Sequence, residues 1–297
     1  MLSIIIPYYK LTFFEYTLKS LAAQTCQDFK VYIGDDASPE DPSKLLEKYK
    51  GKFDFEYYRF ETNLGNVSLT QQWERCIALS DTEPWLMIFG DDDVLGEKAV
   101  EEFYKNLEEI ETIGCNVVRF ATQKINEFGI CISDIYIHPK IENALDFLFR
   151  KTRSSLSEYV FKKEKVLEIG FKDFPFGWFS DVLAVLEFSD FGKIWSLNTM
   201  LIYIRVSNKS ISGNRNLERY KKEAGFNFST YLLLNFSEKF NIVQKDYILR
   251  RAHLSFLDNK SNISFFIRIT LLHLKKMWIL DYLKFLYNIF KRFAKSI

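Results

Sequence analysis

Three consecutive carboxylates, Asp91, Asp92 and Asp93, close the apolar run Met87-Ile-Phe-Gly90. Like charges packed side by side are unfavourable unless a cation or a donor-rich ligand meets them. Carboxylate oxygens are the hard ligands that Mg2+ and Mn2+ prefer, so the chemistry on offer is cation binding. A solvated acidic turn after a strand is the plain alternative for such a triplet taken alone. A second acidic pair, Asp35-Asp36, ends the β-branched and aromatic run Phe29–Gly34 and leads into Ala37-Ser38-Pro39. The glycine-rich phosphate loops Gly-x-Gly-x-x-Gly and Gly-x4-Gly-Lys-Ser/Thr are both absent. A phosphate would then be held through a bridging metal, which points to a nucleoside diphosphate bound as its metal complex.

The elements that must position these acids follow from the pattern around them. A first strand, Leu2 to Ile6, stops at Pro7-Tyr8-Tyr9. A helix carrying Phe14, Leu18, Leu21 and Ala22 follows, with Thr12-x-x-Glu15 read as its capping box. Leu69, Trp73, Cys76 and Ile77 form one helical face ahead of a strand at Trp85–Phe89, and Val100, Phe103, Leu107 and Ile110 form another behind it. Strands alternating with helices predict a parallel sheet with right-handed crossovers. Ligands bind such sheets at the carboxyl ends of the strands. Pro7 to Tyr9, Asp35-Asp36 and Asp91 to Asp93 all lie at such ends, so three distant segments converge on one rim.

The segments "LSIIIPYYK", "TLKSLAAQTCQDFKVYIGDDAS", "NLGNVSLTQQWERCIAL" and "MIFGDDDVL" resemble the family 2 glycosyltransferases of GT-A fold, in the right order across residues 2–95. "VFKKEKVLEIGF" and "FGWFSDVLAVLEFSDFGKIWSLNTMLIYIRVSNKSIS" carry the resemblance more weakly to about residue 213. It implies an α/β catalytic domain over 1–213, mostly parallel in its sheet, with a nucleotide-binding half (1–95) and an acceptor-binding half (96–213). A helical extension (214–297) would follow. It further implies an inverting, metal-dependent transfer of a sugar from a nucleotide diphosphate, UDP by expectation, to a glycan hydroxyl. The acceptor would be a lipid-linked intermediate of a bacterial surface polysaccharide. Donor binding falls to Pro7, Tyr9, Asp35, Asp36, Asp91, Asp92 and Arg205. Asp36 would accept from the base, Tyr9 would lie against it, and Arg205 would neutralise the leaving diphosphate. Asp93, with Asp91, would hold Mn2+ or Mg2+. Many relatives read Asp-Ser-Asp-Asp at the triplet, which aligns Gly90 with their first acid. Asp181 is the implied general base, and Trp178 and Phe179 would line the acceptor. Where many relatives have a histidine after the arginine, this chain has Ser207.

Asp181 opens a helical stretch (Val182, Val185, Leu186), and a helix start favours the ionised carboxylate. A nucleotidyltransferase would carry a Gly-rich, basic opening loop instead of Pro7-Tyr-Tyr-Lys10. A non-catalytic glycan- or partner-binding descendant of the same fold is the alternative reading, and the intact acids argue against it.

The 297 residues carry 40 Lys and Arg against 39 Asp and Glu, a net charge of +1, which gives no nucleic-acid signal. Cys26, Cys76, Cys115 and Cys131 have no CxxC spacing and read as reduced core thiols, and His138, His253 and His273 form no zinc cluster. The first strand leaves no room for a signal peptide, and the longest uncharged stretch, Ala224–Ser237, is too short to span a bilayer. A cytoplasmic enzyme is expected, peripheral on the inner face of the membrane. The last 35 residues hold seven basic groups and one acid. Asp281, Lys284, Asn288, Lys291, Arg292 and Lys295 fall within an arc of about 100° on a helical wheel. The remaining face, from Trp278 to Phe293, is apolar and too broad to be solvated. It must meet an anionic bilayer surface through 277–295, the catalytic domain, or a second copy in a homodimer.

Overall fold

The computed structural model describes residues 1–150, 152–208, 210, 217–257 and 263–294. Lys295 and the end of the "YIRVSNKSIS" segment lie outside them, as do the side chains of Arg292 and Phe293. The chain divides into two compact units: residues 1–173 with 180–215, and residues 174–179 with 216–297. The short stretch 174–179 therefore belongs with the second unit, a detail that a single boundary near 213 does not capture.

The first unit is built on a nine-stranded sheet. β1 (Leu2–Tyr8), β2 (Phe29–Asp35), β3 (Asp54–Arg59) and β4 (Trp85–Ile88) run in parallel, in the order β3-β2-β1-β4. Helices α1 (Phe14–Ala22), α2 (Ser43–Glu47) and α3 (Leu69–Ile77) lie between these strands in sequence. β1 is apolar on both faces, as a central parallel strand must be, and Ile4, Ile5 and Ile6 are fully buried. Phe14, Leu18 and Leu21 of α1 pack into the same core. The helix starts at Phe14 with Phe13 at its cap and no side-chain capping bond. Thr12 and Glu15 therefore do not form the expected capping box, and Glu15 instead pairs with Lys19 one turn on. Ser68 does cap α3, its Oγ accepting from Gln71 N at 3.2 Å.

Beyond β4 the sheet becomes mixed. β5 (Val94–Leu95) leads into α4 (Ala99–Ile113), which ends on Gly114 in the left-handed conformation (φ 72°). β6 (Val117–Ile125), β7 (Ile141–Asn143), α5 (Ala144–Phe149), β8 (Tyr159–Lys162), α6 (Lys163–Ile169), α7 (Ser180–Phe188) and β9 (Lys193–Arg205) complete the unit. β8 inserts between β4 and β6, antiparallel to both. β9 runs parallel to β6 and antiparallel to β5 and β7. The expected parallel order thus describes the first four strands, and the second half mixes antiparallel pairings with the parallel pair β6–β9. Cys76 and Cys115 are buried thiols, whereas Cys131 is exposed rather than in the core.

The described residues of the second unit form α8 (Glu218–Asn235), α9 (Ile242–Leu257), α10 (Ile263–Lys276) and α11 (Ile279–Ala294), with 3-10 turns at Pro175–Gly177 and Ser237–Lys239. Its core gathers Phe226, Ala252, Phe256, Phe265, Ile269 and Phe285. No helix among the described residues is long and apolar enough to cross a membrane.

Candidate active site

The acid triplet sits where β4 ends and β5 begins. Asp91 Oδ2 accepts from the backbone N–H groups of Tyr9 and Lys10, both at 2.8 Å, so the first acid of the triplet ties it to the exit of β1. Asp93 is buried, and its Oδ1 accepts from Arg205 N at 2.9 Å. The Ser157 hydroxyl favours its ionised form, and Ser157 Oγ accepts from Gly90 N at 3.1 Å, which braces the loop that leads into the triplet. A Cβ at Gly90 would lie 2.9 Å from Asp93 Oδ2 and 3.1 Å from Asp92 Oδ1. No side chain fits there without moving both carboxylates.

All three carboxyls are held above their ordinary range, first by burial, and for Asp92 next by the charges of Asp93 and Asp91. Such a site is relieved by a cation, and its donor set is the hard-oxygen type that suits Mg2+ or Mn2+. Among the described residues no three His, Cys, Asp or Glu side chains are grouped as a complete metal cage. An ion bound here would be held by one or two carboxylates, with the remaining positions filled by phosphate and water. Asp93 and Asp91 are the residues that could hold it, Asp91 with one oxygen already committed to the β1 exit.

The end of β2 is braced from β3 by register. Asp35 pairs with Arg59 across the two strands. Its Oδ2 accepts from Arg59 Nη1 at 2.8 Å and from the Tyr57 hydroxyl at 2.6 Å, while Oδ1 accepts from Ser38 N at 2.7 Å. Asp36 accepts from Leu64 N at 2.7 Å and Gly65 N at 2.9 Å, and forms an ion pair with Arg75. Burial nevertheless pushes its carboxyl up. A carboxylate offers about four lone-pair directions, so Asp36 keeps capacity for one more donor. Pro7, one residue before the end of β1, is half-buried, and the Tyr9 ring is exposed at the same rim.

Arg205 closes β9 next to the triplet because Val94 pairs with Tyr203 two residues earlier. Its side chain is buried, not presented to solvent. Nε donates to Asp92 O and Nη1 to Asn126 O, both at 2.8 Å, and the guanidinium lies over the Phe13 ring at 4.6 Å. Nη2 has no hydrogen-bond partner. Most of the expected diphosphate cation is therefore engaged in clamping the loop beneath the acids.

Asp181 lies in the first turn of α7, as its sequence setting predicts. The helix start does not control its ionisation, however. Burial pushes the carboxyl up, and the Ser154 hydroxyl, the Val182 N–H and the charge of Arg153 oppose that rise. Ser154 Oγ donates to Asp181 Oδ2 at 2.6 Å and lies 2.8 Å from the Tyr159 hydroxyl. Behind them Glu158 is fully buried, 3.6 Å from Arg153, and its carboxyl is pushed up to about 8 by burial.

One segment, Arg153 to Tyr159, thus reaches two distant places: Ser157 braces Gly90 ahead of the triplet and Ser154 holds Asp181. Sequence reading missed these residues, because a serine hydroxyl carries no periodic or motif signal. Trp178 and Phe179, expected at the acceptor, fall in the second unit, where Phe179 stacks on Phe228 with ring centroids 5.2 Å apart.

The model of the glycosyl transferase family 2 matches residues 3–154, just over half of the chain. No curated protein sequence matches. Among solved structures, S. aureus TarS 1-349 in complex with UDP superimposes with a TM-score of 0.60 at 16% identity, covering 88% of this chain and 73% of that one. The same protein in complex with UDP-GlcNAc gives 0.63 at 14% identity, covering 86% and 71%. GalNAc-T7 with UDP, GalNAc and Mn2+ gives 0.51 at 12% identity, covering 89% and 57%. At these identities the structural likeness concerns the fold, while the sequence match decides membership. The chain belongs to the family 2 glycosyltransferases and is a glycosyltransferase.

Proposed function

We propose that the protein transfers a sugar, with inversion, from a nucleoside diphosphate to a glycan hydroxyl, with UDP as the nucleotide and Mn2+ or Mg2+ as the cofactor. The observation that carries this reading is the single rim of β1, β2 and β4 on which Tyr9, Asp36 and the Asp91–Asp93 triplet meet. UDP and UDP-GlcNAc in the structurally similar protein, and Mn2+ with UDP in a second, support the choice of nucleotide and metal. The Tyr9 ring is available to a base, and Asp36 has one acceptor direction left for a base N–H. Asp93 and Asp91 would hold the metal, which when bound adds positive charge against the departing diphosphate. Arg205 fixes the loop carrying Asp92, and its buried charge acts on the triplet from beneath. Asp181 takes the proton of the acceptor hydroxyl as that oxygen bonds to the anomeric carbon and the bond to the diphosphate breaks.

The acceptor is a lipid-linked surface glycan, and the second unit meets the bilayer that carries it. α11 buries Phe285, and partly Tyr282, Leu286 and Ile289, against its own core. Ile279, Leu280, Leu283, Tyr287 and Phe290 stay exposed, as do Ile263, Ile267, Leu271 and Leu274 on α10. Contacts of Thr270 and His273 with Tyr282, and of Phe266 with Phe285, run the two helices antiparallel. On a wheel at about 100° per residue each stripe spans no more than about 100° and lies a similar angle from the helix–helix contact. Two antiparallel helices with that arrangement open their stripes to the same side. Lys275 borders the first stripe, and Lys284 and Lys291 border the second. Apolar stripes edged by lysine suit an anionic interface, whereas a twofold dimer would bring the lysine borders against each other. A peripheral place on the inner membrane face follows from this reading.

Calorimetry of UDP with and without Mn2+ tests the metal site. We expect Asp93→Ala to abolish the Mn2+-dependent part of UDP binding, and equal affinities in wild type and variant would remove Asp93 from the role.

A further inference from the structure

We propose that Ser154 and Tyr159 are positioning residues for Asp181, forming a one-way hydrogen-bond chain from Tyr159 through Ser154 to the carboxylate. The inference rests on the reading of Asp181 as the base. Its direction comes from counting protons. A serine hydroxyl has one proton to give. Ser154 gives it to Asp181 Oδ2 at 2.6 Å, since an ionised carboxylate can only accept. The contact of 2.8 Å between Ser154 Oγ and the Tyr159 hydroxyl must then be donated by tyrosine.

Tyr159 can hold that role because it is fully buried at the start of β8, where loss of its proton is strongly disfavoured. Each donation polarises the next, so the pair works as a unit. The Ser154 bond opposes burial, which by itself disfavours the ionised form of the Asp181 carboxyl that can take a proton. The charged groups acting on Asp181 from its neighbours are Arg153, which favours the ionised form, and Glu158, which resists it. Arg119, fully buried and paired with Glu142, acts on Glu158 from β6. The chain also restrains the carboxylate plane, because Oδ2 is pinned by a hydroxyl that is itself pinned.

The test uses the full-length protein labelled with carboxyl-13C aspartate, with the Asp181 resonance assigned by its absence in Asp181→Asn. Ser154→Ala should raise the Asp181 pKa by roughly one unit, the worth of one hydrogen bond to a charged group. Tyr159→Phe should raise it less, and Ser154→Thr should restore the wild-type value. The acid limb of UDP-GlcNAc turnover against pH should move with the resonance. An unchanged Asp181 titration in Ser154→Ala, or an equal shift in Ser154→Thr, overturns the chain. Normal turnover by Asp181→Asn would instead overturn the base assignment, and the titration would still judge the chain by itself.

Discussion

Buried polar groups are treated differently in the two units. In the first, charges are placed inside, and several of them are met by donors from other elements. Asp35 is bound by Ser38, Tyr57 and Arg59, Asp91 by the Tyr9 and Lys10 amides, and Glu142 by Arg119 and Arg150. In the second, His253 and His273 stack with ring centroids 5.2 Å apart beside Phe285, and Nε2 of each has no partner. Burial pushes His253 down to about 3 and lowers His273 as well, so the pair is kept neutral. The first unit spends packing energy on holding charge where a ligand arrives. The second keeps charge out of its core and leaves apolar stripes on its surface.

The largest expected effect lies in the first unit. Asp181→Asn preserves size and hydrogen bonding but cannot accept a proton, so turnover should fall on the order of 10²-fold or more with donor affinity unchanged. Steady-state kinetics across a panel of UDP-sugars checks this, and near-normal turnover would move the base elsewhere, with Asp173 and Glu187 as the next candidates.

Acidification should then separate the units. Neutral buried histidines leave the unfolded chain with more bound protons, so stability from His253 and His273 is present above the ordinary value of 6.5 and is lost as pH falls toward 3. His138 in the first unit follows the same rule, pushed to about 3 by burial and then by Arg119 and Arg150. There, however, Glu158 and Asp181 have raised values, so the folded state binds protons more readily and is favoured as pH falls. Hydrogen exchange should show α9 to α11 losing protection between about pH 6 and 4 while β1 to β4 keep theirs. Uniform loss across both units would erase the contrast.

The smallest effect on stability should come from the stripes. Leu271→Glu and Leu283→Glu alter exposed positions and should change stability by no more than about 0.5 kcal/mol. Each should nonetheless weaken flotation with anionic vesicles. Retained flotation in both variants would mean the stripes do not face lipid. Loss of a dimer in sedimentation would assign them to a second copy.

Much of the site was legible because it is built from strand ends. An apolar run that stops in acids marks both an element and its exit, as at Ile33 to Asp36 and Ile88 to Asp93. The α1 start was misread, since Thr12-x-x-Glu15 satisfies a local pattern that the helix, beginning one residue later, does not use. α11 was read as uniformly too apolar for water. The structure divides that face between a buried Phe285 and an exposed row from Ile279 to Phe290, a division set by which neighbour is in reach.

By itself the sequence determined the alternation of strands and helices, the acids at their carboxyl ends and the family to which the chain belongs. Those are local properties, written in side-chain periodicity and in charge next to apolar runs. Tertiary structure alone decided that β8 would insert between β4 and β6, that Arg205 would be buried under the triplet, and that Ser154 would hold Asp181 while Ser157 braces Gly90. Each of those depends on residues tens of positions apart meeting in a low-dielectric interior, where a hydroxyl or guanidinium acquires its role from whatever it touches.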